Sequence, residues 1–135
     1  MIDFTVNVNP MGAVRMTQRG KWKSDSAQRY LAYKSQIGFE ARKHIKTPLS
    51  GPVHAVIRFY YPIPSRFNKL QKEKARNGEL APVVKPDLDN CVKGIFDALN
   101  KIAWNDDNQV IAASASKLYS DQPRIEIRIF EVKAA

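Results

Sequence analysis

One cysteine, Cys91, stands in 135 residues, so no internal disulfide can form and nothing calls for an oxidising compartment. No apolar run approaches the ~18 residues that cross a bilayer. The opening Met1-Ile2-Asp3-Phe4 has neither the basic nor the apolar region of a signal peptide. A membrane protein and a secreted disulfide scaffold are thereby excluded, and the cytoplasm is the expected location. His44 and His54 have no partners at metal-ligand spacing, which with a single cysteine argues against zinc. Repeats and low-complexity tracts are absent too.

Acidic residues are scarce over most of the chain. Residues 1–86 carry 16 Lys and Arg against 5 Asp and Glu, whereas residues 87–135 carry 6 against 8. The formal net charge of +9 is therefore segregated, and a surplus of this kind favours a polyanionic partner, nucleic acid first among them. With 44% apolar and 26% charged residues the composition is that of a soluble globular protein. The length predicts one domain, 1–135.

Ile2, Phe4, Val6 and Val8 alternate with Asp3, Thr5 and Asn7, the period of a half-buried strand, ended by Asn9-Pro10-Met11-Gly12. A polar, basic loop follows from Arg15. Ser24, Asp25 and Ser26 start a helix in which Tyr30, Leu31, Tyr33, Ile37, Ala41 and Ile45 share one side, to about Lys46. Beyond the turn at Thr47 to Pro52, Val53, Ala55, Ile57, Phe59 and Tyr61 alternate as a second strand. Ser65 to Lys85 sets six Lys and Arg against Glu73 and Glu79 and reads as a basic, mobile loop holding at most a short helix. Leu88, Val92, Ile95, Leu99 and Ile102 make the stripe of a helix over 88–102, and β-rich runs follow near 109–119 and 124–132. The order predicts an α+β domain: a small mixed or mostly antiparallel sheet with two main helices packed on it.

Five of the 13 acidic residues, Asp87, Asp89, Asp97, Asp106 and Asp107, fall between positions 87 and 107. If Pro86 to Asp89 is extended, Asp87 and Asp89 lie on one side and converge at the helix mouth. Asp106 or Asp107, in the turn after the helix, would complete a three-carboxylate cluster. Such a cluster needs neutralising, because like charges raise each other's pKa. Carboxylate oxygens suit Mg²⁺ or Mn²⁺. With Lys93 one turn beyond Asp89, these are the ingredients of metal-dependent phosphodiester hydrolysis. Each residue also has a structural reading: an N-cap at Asp87, an i,i+4 pair between Asp89 and Lys93, an ordinary Asp-Asp-Asn turn. Glu131-Val132-Lys133 with Pro86-Asp87 mimics a second nuclease pattern, PD-(D/E)xK, across a long gap.

Lys85-Pro86-Asp87-Leu88-Asp89-Asn90, Lys93, Phe96-Asp97-Ala98-Leu99 and Trp104-Asn105-Asp106-Asp107-Asn108-Gln109-Val110 resemble the signature of the RusA-like Holliday-junction resolvases. These are small crossover-junction endodeoxyribonucleases often carried by phages and prophages. The resemblance implies a RusA-like fold and a homodimer that binds four-way DNA and nicks two opposing strands with Mg²⁺ or Mn²⁺, in recombination or repair. It implies metal-binding catalytic carboxylates at Asp87, Asp89 and Asp107, with Asp106 adjacent, and a catalytic lysine at Lys93. Two positions depart from the pattern: Cys91 replaces an aliphatic residue, and Lys101 stands where a glycine is expected at the helix end. Arg15, Arg19, Lys21, Lys23, Arg66, Lys69, Lys72 and Lys74 are the candidate phosphate contacts. A non-catalytic nucleic-acid-binding protein and a metal nuclease acting on duplex or flap DNA are the competing readings.

Overall fold

Phe4 and Val6 are buried while Asp3 and Thr5 face solvent, so the alternation read from the first residues is the pleat of β1, Ile2–Val6. The structure, a computed structural model, describes residues 1–15 and 24–132. Helix α1, Asp25–Arg42, starts where Ser24 caps it, its side chain accepting the Ala27 N–H at 3.1 Å. β2, Val53–Pro62, buries Val53, Ala55, Ile57, Phe59 and Tyr61 on one face. Helix α2, Lys69–Arg76, follows, then α3, Leu88–Leu99, a single 3₁₀ turn at Asp107–Gln109, β3, Val110–Ser120, and β4, Arg124–Glu131.

The sheet order is β1-β4-β2-β3. β4 runs antiparallel to both β1 and β2, whereas β2 and β3 are parallel, with α3 in the connection between them. The sheet is thus mixed, with two of its three pairings antiparallel. Ile125, Ile127 and Ile129 of β4 join the buried face of β2 against Tyr30, Tyr33 and Ile37 of α1 and Ile95 and Leu99 of α3. The opposite face is polar and ion-paired: Arg128 pairs with Asp3 at 3.4 Å, and Arg124 and Arg58 share Glu126 at 3.1 Å and 4.0 Å.

Two helix ends differ from the sequence reading, and the short helix allowed within 65–85 is present. The 65–85 segment contains α2, secured by a capping box in which Asn68 and Gln71 bond each other's backbone N–H. α3 ends at Leu99 rather than 102, because Asn100 is extended and Lys101 takes a left-handed φ of 70°. The helix α1 stops at Arg42, although Ile45 stays buried in the turn that follows. β3 shows little alternation: Ile111, Ala112, Ala113, Ser114 and Ser116 are exposed, whereas Val110 and Ala115 are half-buried against the core.

Candidate active site

The start of α3 is held from two sides. Tyr61, buried near the end of β2, donates its hydroxyl proton to the Pro86 carbonyl and lies 3.3 Å from Cys91 Sγ. Burial pushes the Tyr61 pKa well above the phenolic range, so the hydroxyl remains a donor at any working pH. Lys117 of β3 donates to the Val84 carbonyl at 2.7 Å, with its ammonium 4.9 Å above the Tyr61 ring. On the other flank the Ala13 N–H donates to the Asn90 carbonyl and Asn90 Nδ2 to the Ala13 carbonyl, both at 3.2 Å. Gly12 permits this approach: a Cβ there would sit 2.5 Å from Asn90 Nδ2. Between the two flanks opens a pocket of about 450 Å³ lined by Pro10, Met11, Gly12, Lys85, Pro86, Asp87 and Asn90.

Asp87 has the backbone geometry of an N-cap, φ −68° and ψ 151°, yet its carboxylate makes no capping hydrogen bond. α3 begins at Leu88, so the extended stretch expected over Pro86 to Asp89 stops at Asp87, and Asp89 and Lys93 are exposed along the helix itself. Among the described residues, Asp87, Asp89 and Lys93 form no side-chain hydrogen bond and no ion pair, so neither the cap nor the i,i+4 pair that would make them structural is realised. Cys91 is fully buried beneath them, as a packing residue, with its thiol pKa raised by burial.

The turn at 106–109 is built differently. Asp106 caps it by accepting the Asn108 N–H at 3.1 Å. Gln109 Oε1 accepts the N–H groups of Asn105 and Asp106. Gln109 Nε2 donates to the carbonyls of Leu49 and Gly51, which anchors the turn beside the start of β2. The Asn108 N–H holds the Asp106 carboxyl below the usual range. Desolvation, then the neighbouring Asp106 and Asp97 charges, push Asp107 above it.

Asp107 and the Asp87/Asp89 pair lie at opposite ends of α3. Pro86 is tied to Tyr61, whereas β3 begins at Val110 beside Val53, at the other end of β2. Asp97, in the last turn of α3, is the carboxylate of that helix whose charge acts on Asp107. Ten residues of nearly continuous helix separate Asp87 from Asp97, about 15 Å at ~1.5 Å per residue. The expected meeting of Asp87, Asp89 and Asp107 therefore does not occur within one chain. Among the described residues no three His, Cys, Asp or Glu side chains are grouped to hold a metal ion. Two unengaged carboxylates at a helix mouth fit a hard divalent cation as part of a ligand set; this chain's own Asp107 does not complete it.

The cationic residues gather at the Asp87 end. Arg15 leaves from the Ala13 segment bonded to Asn90 and is exposed. Phe67, just ahead of α2, packs edge-on against Tyr119 at 5.7 Å. Arg66, Lys69 and Lys74 are exposed and Lys72 is half-buried. Among the described residues none of these four is in an ion pair, whereas Arg76 is bound by Asp121 at 2.7 Å. Arg19, Lys21 and Lys23 lie outside the described residues, as does Lys133 of the competing nuclease pattern. Glu131 of that pattern pairs beside Val53, far from Asp87. His44 stacks on Phe4, and His54 packs against Phe130.

Sequence reasoning overlooked Tyr61, Lys117 and Asn90 as the groups that fix the site. Asp97, named among the clustered acids, was given no partner, and it accepts a 2.7 Å hydrogen bond from Tyr30. Tyr61 read as one more inward strand residue; its hydroxyl was the signal that it needed a partner.

A family model described as endodeoxyribonuclease RusA matches residues 7–130. The chain is 39% identical over 139 aligned positions to uncharacterized protein YqaN of Bacillus subtilis (strain 168), covering 98% of each. It is 32% identical over 82 residues to crossover junction endodeoxyribonuclease rusA of Lactococcus phage r1t, covering 60% of this chain and 56% of the phage protein.

Proposed function

Because this chain belongs to the RusA endodeoxyribonuclease family, we propose that it is a divalent-metal-dependent endonuclease that resolves four-way DNA junctions by paired nicks. It would act as a homodimer in the cytoplasm of a bacterium or of a phage-infected host, in recombination or repair. The observation that carries this reading is the state of Asp87, Asp89 and Lys93. Two carboxylates and an ammonium stand unengaged at the mouth of one helix, while Tyr61, Lys117 and Asn90 hold the backbone beneath them. Free, pre-positioned charge on a rigid support has no folding role and suits a reacting phosphodiester.

Asp87 and Asp89 would hold Mg²⁺ or Mn²⁺. Bound there, the cation would polarise the scissile phosphoryl group and allow water to attack at neutral pH. Lys93 donates hydrogen bonds to phosphate oxygens as their charge grows. Arg15, Arg66, Lys69, Lys72 and Lys74 hold the flanking backbone, which positions the DNA without reading its sequence. Since α3 keeps Asp107 away from Asp87 in one chain, a three-carboxylate site has to draw on two subunits. Paired cuts across a four-way junction also require two equivalent sites, and an isologous dimer meets both needs.

The test is cleavage of a synthetic four-way junction beside a linear duplex of the same arm sequence, in Mg²⁺ and in EDTA. Symmetric nicks on the junction alone, lost in EDTA while binding persists, are expected. Equal cutting of the duplex would replace junction resolution by general nuclease action, and binding without cutting would make the protein a non-catalytic DNA binder.

A further inference from the structure

The pocket of about 450 Å³ beside Asp87 is larger than a cation needs. Pro10, Met11 and Gly12 line it from one segment and Lys85, Pro86 and Asp87 from another. Both sides are fixed in advance. Pro10 is buried, Ala13 and Asn90 exchange two hydrogen bonds at 3.2 Å, and the Met11 carbonyl passes within 3.6 Å of where a Cβ on Gly94 would stand. Two proline rings and a thioether give the pocket apolar, polarisable surface of the kind that packs on a flat ring. Asn90 adds one directional group. Its Nδ2 is committed to the Ala13 carbonyl, which fixes the orientation of the amide and leaves Oδ1 over. Among the described residues Oδ1 accepts no hydrogen bond, and it is not sealed from solvent. A free acceptor in an apolar slot suits a flat ligand with an N–H on its edge. Lys85 lines the slot and Arg15 follows two residues after Ala13, both exposed, so charge favours a ligand carried on a polyanion.

We propose that this pocket receives one unstacked nucleobase from the strand whose phosphate is held at Asp87 and Asp89, and that Asn90 Oδ1 selects the base. The inference rests on the proposed function and deepens it, because Asp87 belongs to both the pocket and the carboxylate pair. Adenine N6 and cytosine N4 donate to such an oxygen, whereas thymine O4 and guanine O6 repel it. A base inside a duplex has to leave its stack to enter, at a cost that is least where pairing is already broken. The branch point of a four-way junction is such a place. The pocket thereby favours cutting near the branch over cutting in the arms, and it gives the cut a preference for adenine or cytosine.

The experiment uses junctions carrying pyrrolocytosine, a cytosine analogue that keeps an edge N–H and brightens when unstacked, at each nucleotide around the branch point in turn. Each is titrated with the protein in EDTA. No aromatic side chain lines the pocket, so a captured base is not quenched. Emission should rise about fivefold at one position and stay flat in a linear duplex; a flat response at every position overturns the pocket. Junctions with each of the four bases at the responding position are then nicked in Mg²⁺. Adenine and cytosine should exceed thymine and guanine about tenfold, the worth of one hydrogen bond; equal rates overturn the role of Asn90. Met11→Ala should slow the cytosine junction about fivefold and leave a junction abasic at that position unchanged; equal slowing of both overturns the place of Met11 in the wall. Nicking without any emission change rejects the pocket and spares the proposed function, whereas emission without nicking does the reverse.

Discussion

Replacing Asp87 by alanine separates the two things an aspartate at a helix start can do. A capping aspartate lost to alanine costs about 1 kcal/mol, within a range of roughly 0.5–2. Asp87 makes no such bond, so that contribution is missing from the start. What remains is the attraction of an exposed carboxylate for the helix N-terminus, about 0.3–1 kcal/mol, opposed by repulsion from Asp89 two residues on. The expected net loss is under about 0.5 kcal/mol, which moves the melting temperature of a domain this size by about 2 °C or less. Junction nicking should fall at least a hundredfold in both Asp87→Ala and Asp87→Asn, with junction binding in EDTA retained. Thermal melts and single-turnover cleavage measure the two effects on the same preparations. A loss of 1–2 kcal/mol with cutting intact would make Asp87 a cap and refute the reasoning.

Lys101 holds a left-handed φ of 70°, a conformation that costs a non-glycine residue about 1 kcal/mol. Lys101→Gly should raise the melting temperature by a few degrees without changing cleavage, and a lower melting point would show that the lysine side chain earns its place there. Tyr61→Phe keeps the ring but leaves the Pro86 carbonyl without its donor, a loss of about 1–3 kcal/mol readable in denaturant melts; an unchanged midpoint would mean that water replaces the hydroxyl freely. Asp107 has a raised pKa, so its contribution to stability is complete below the unfolded-state pKa and is lost as pH rises through the folded one. Asp107→Asn should therefore match the wild type in acid and exceed it at neutral pH, a difference that melts at pH 3 to 7 reveal; parallel curves would contradict the desolvation of Asp107 and its repulsion by Asp106 and Asp97.

β1, β2, β4 and α1 were legible because their burial repeats with the period of their own backbone: β2 hides every second residue, and Ser24 announces the helix it caps. α2 is written as plainly, in Asn68 and Gln71, and is the short helix allowed within 65–85, its bounds hidden among lysines that dominate the composition without shaping the fold. The end of α3 misled because the apolar stripe runs on to Ile102, while the chain leaves the helix at Asn100 to let Trp104 bury itself. β3 carries little alternation because its first half, Ile111 to Ser114, is exposed on both faces.

The candidate site was legible in its parts and not in its assembly. Asp87, Asp89 and Lys93 share a helix mouth because a few local residues decide it. Whether Asp107 joins them depends on the direction of a whole helix. A strand, a helix and a parallel strand require the helix to run back along the sheet, and that return places its two ends, with their carboxylates, at opposite ends of the sheet. The distance between Asp87 and Asp107 is thus a property of the topology.

Mixing two inactive proteins tests the shared site most directly. Asp87→Asn and Asp107→Asn are allowed to exchange subunits, with exchange followed by a size tag, and are then assayed on a four-way junction. In random dimers, a heterodimer has one site with every carboxylate restored, so about a quarter of wild-type sites should return, nicking single strands rather than pairs. Asp87→Asn mixed with Asp89→Asn, both altered in the same half of the site, should stay inactive. If the first mixture exchanges subunits yet never cuts, or the second recovers equally, the carboxylates are not shared between subunits and the account fails.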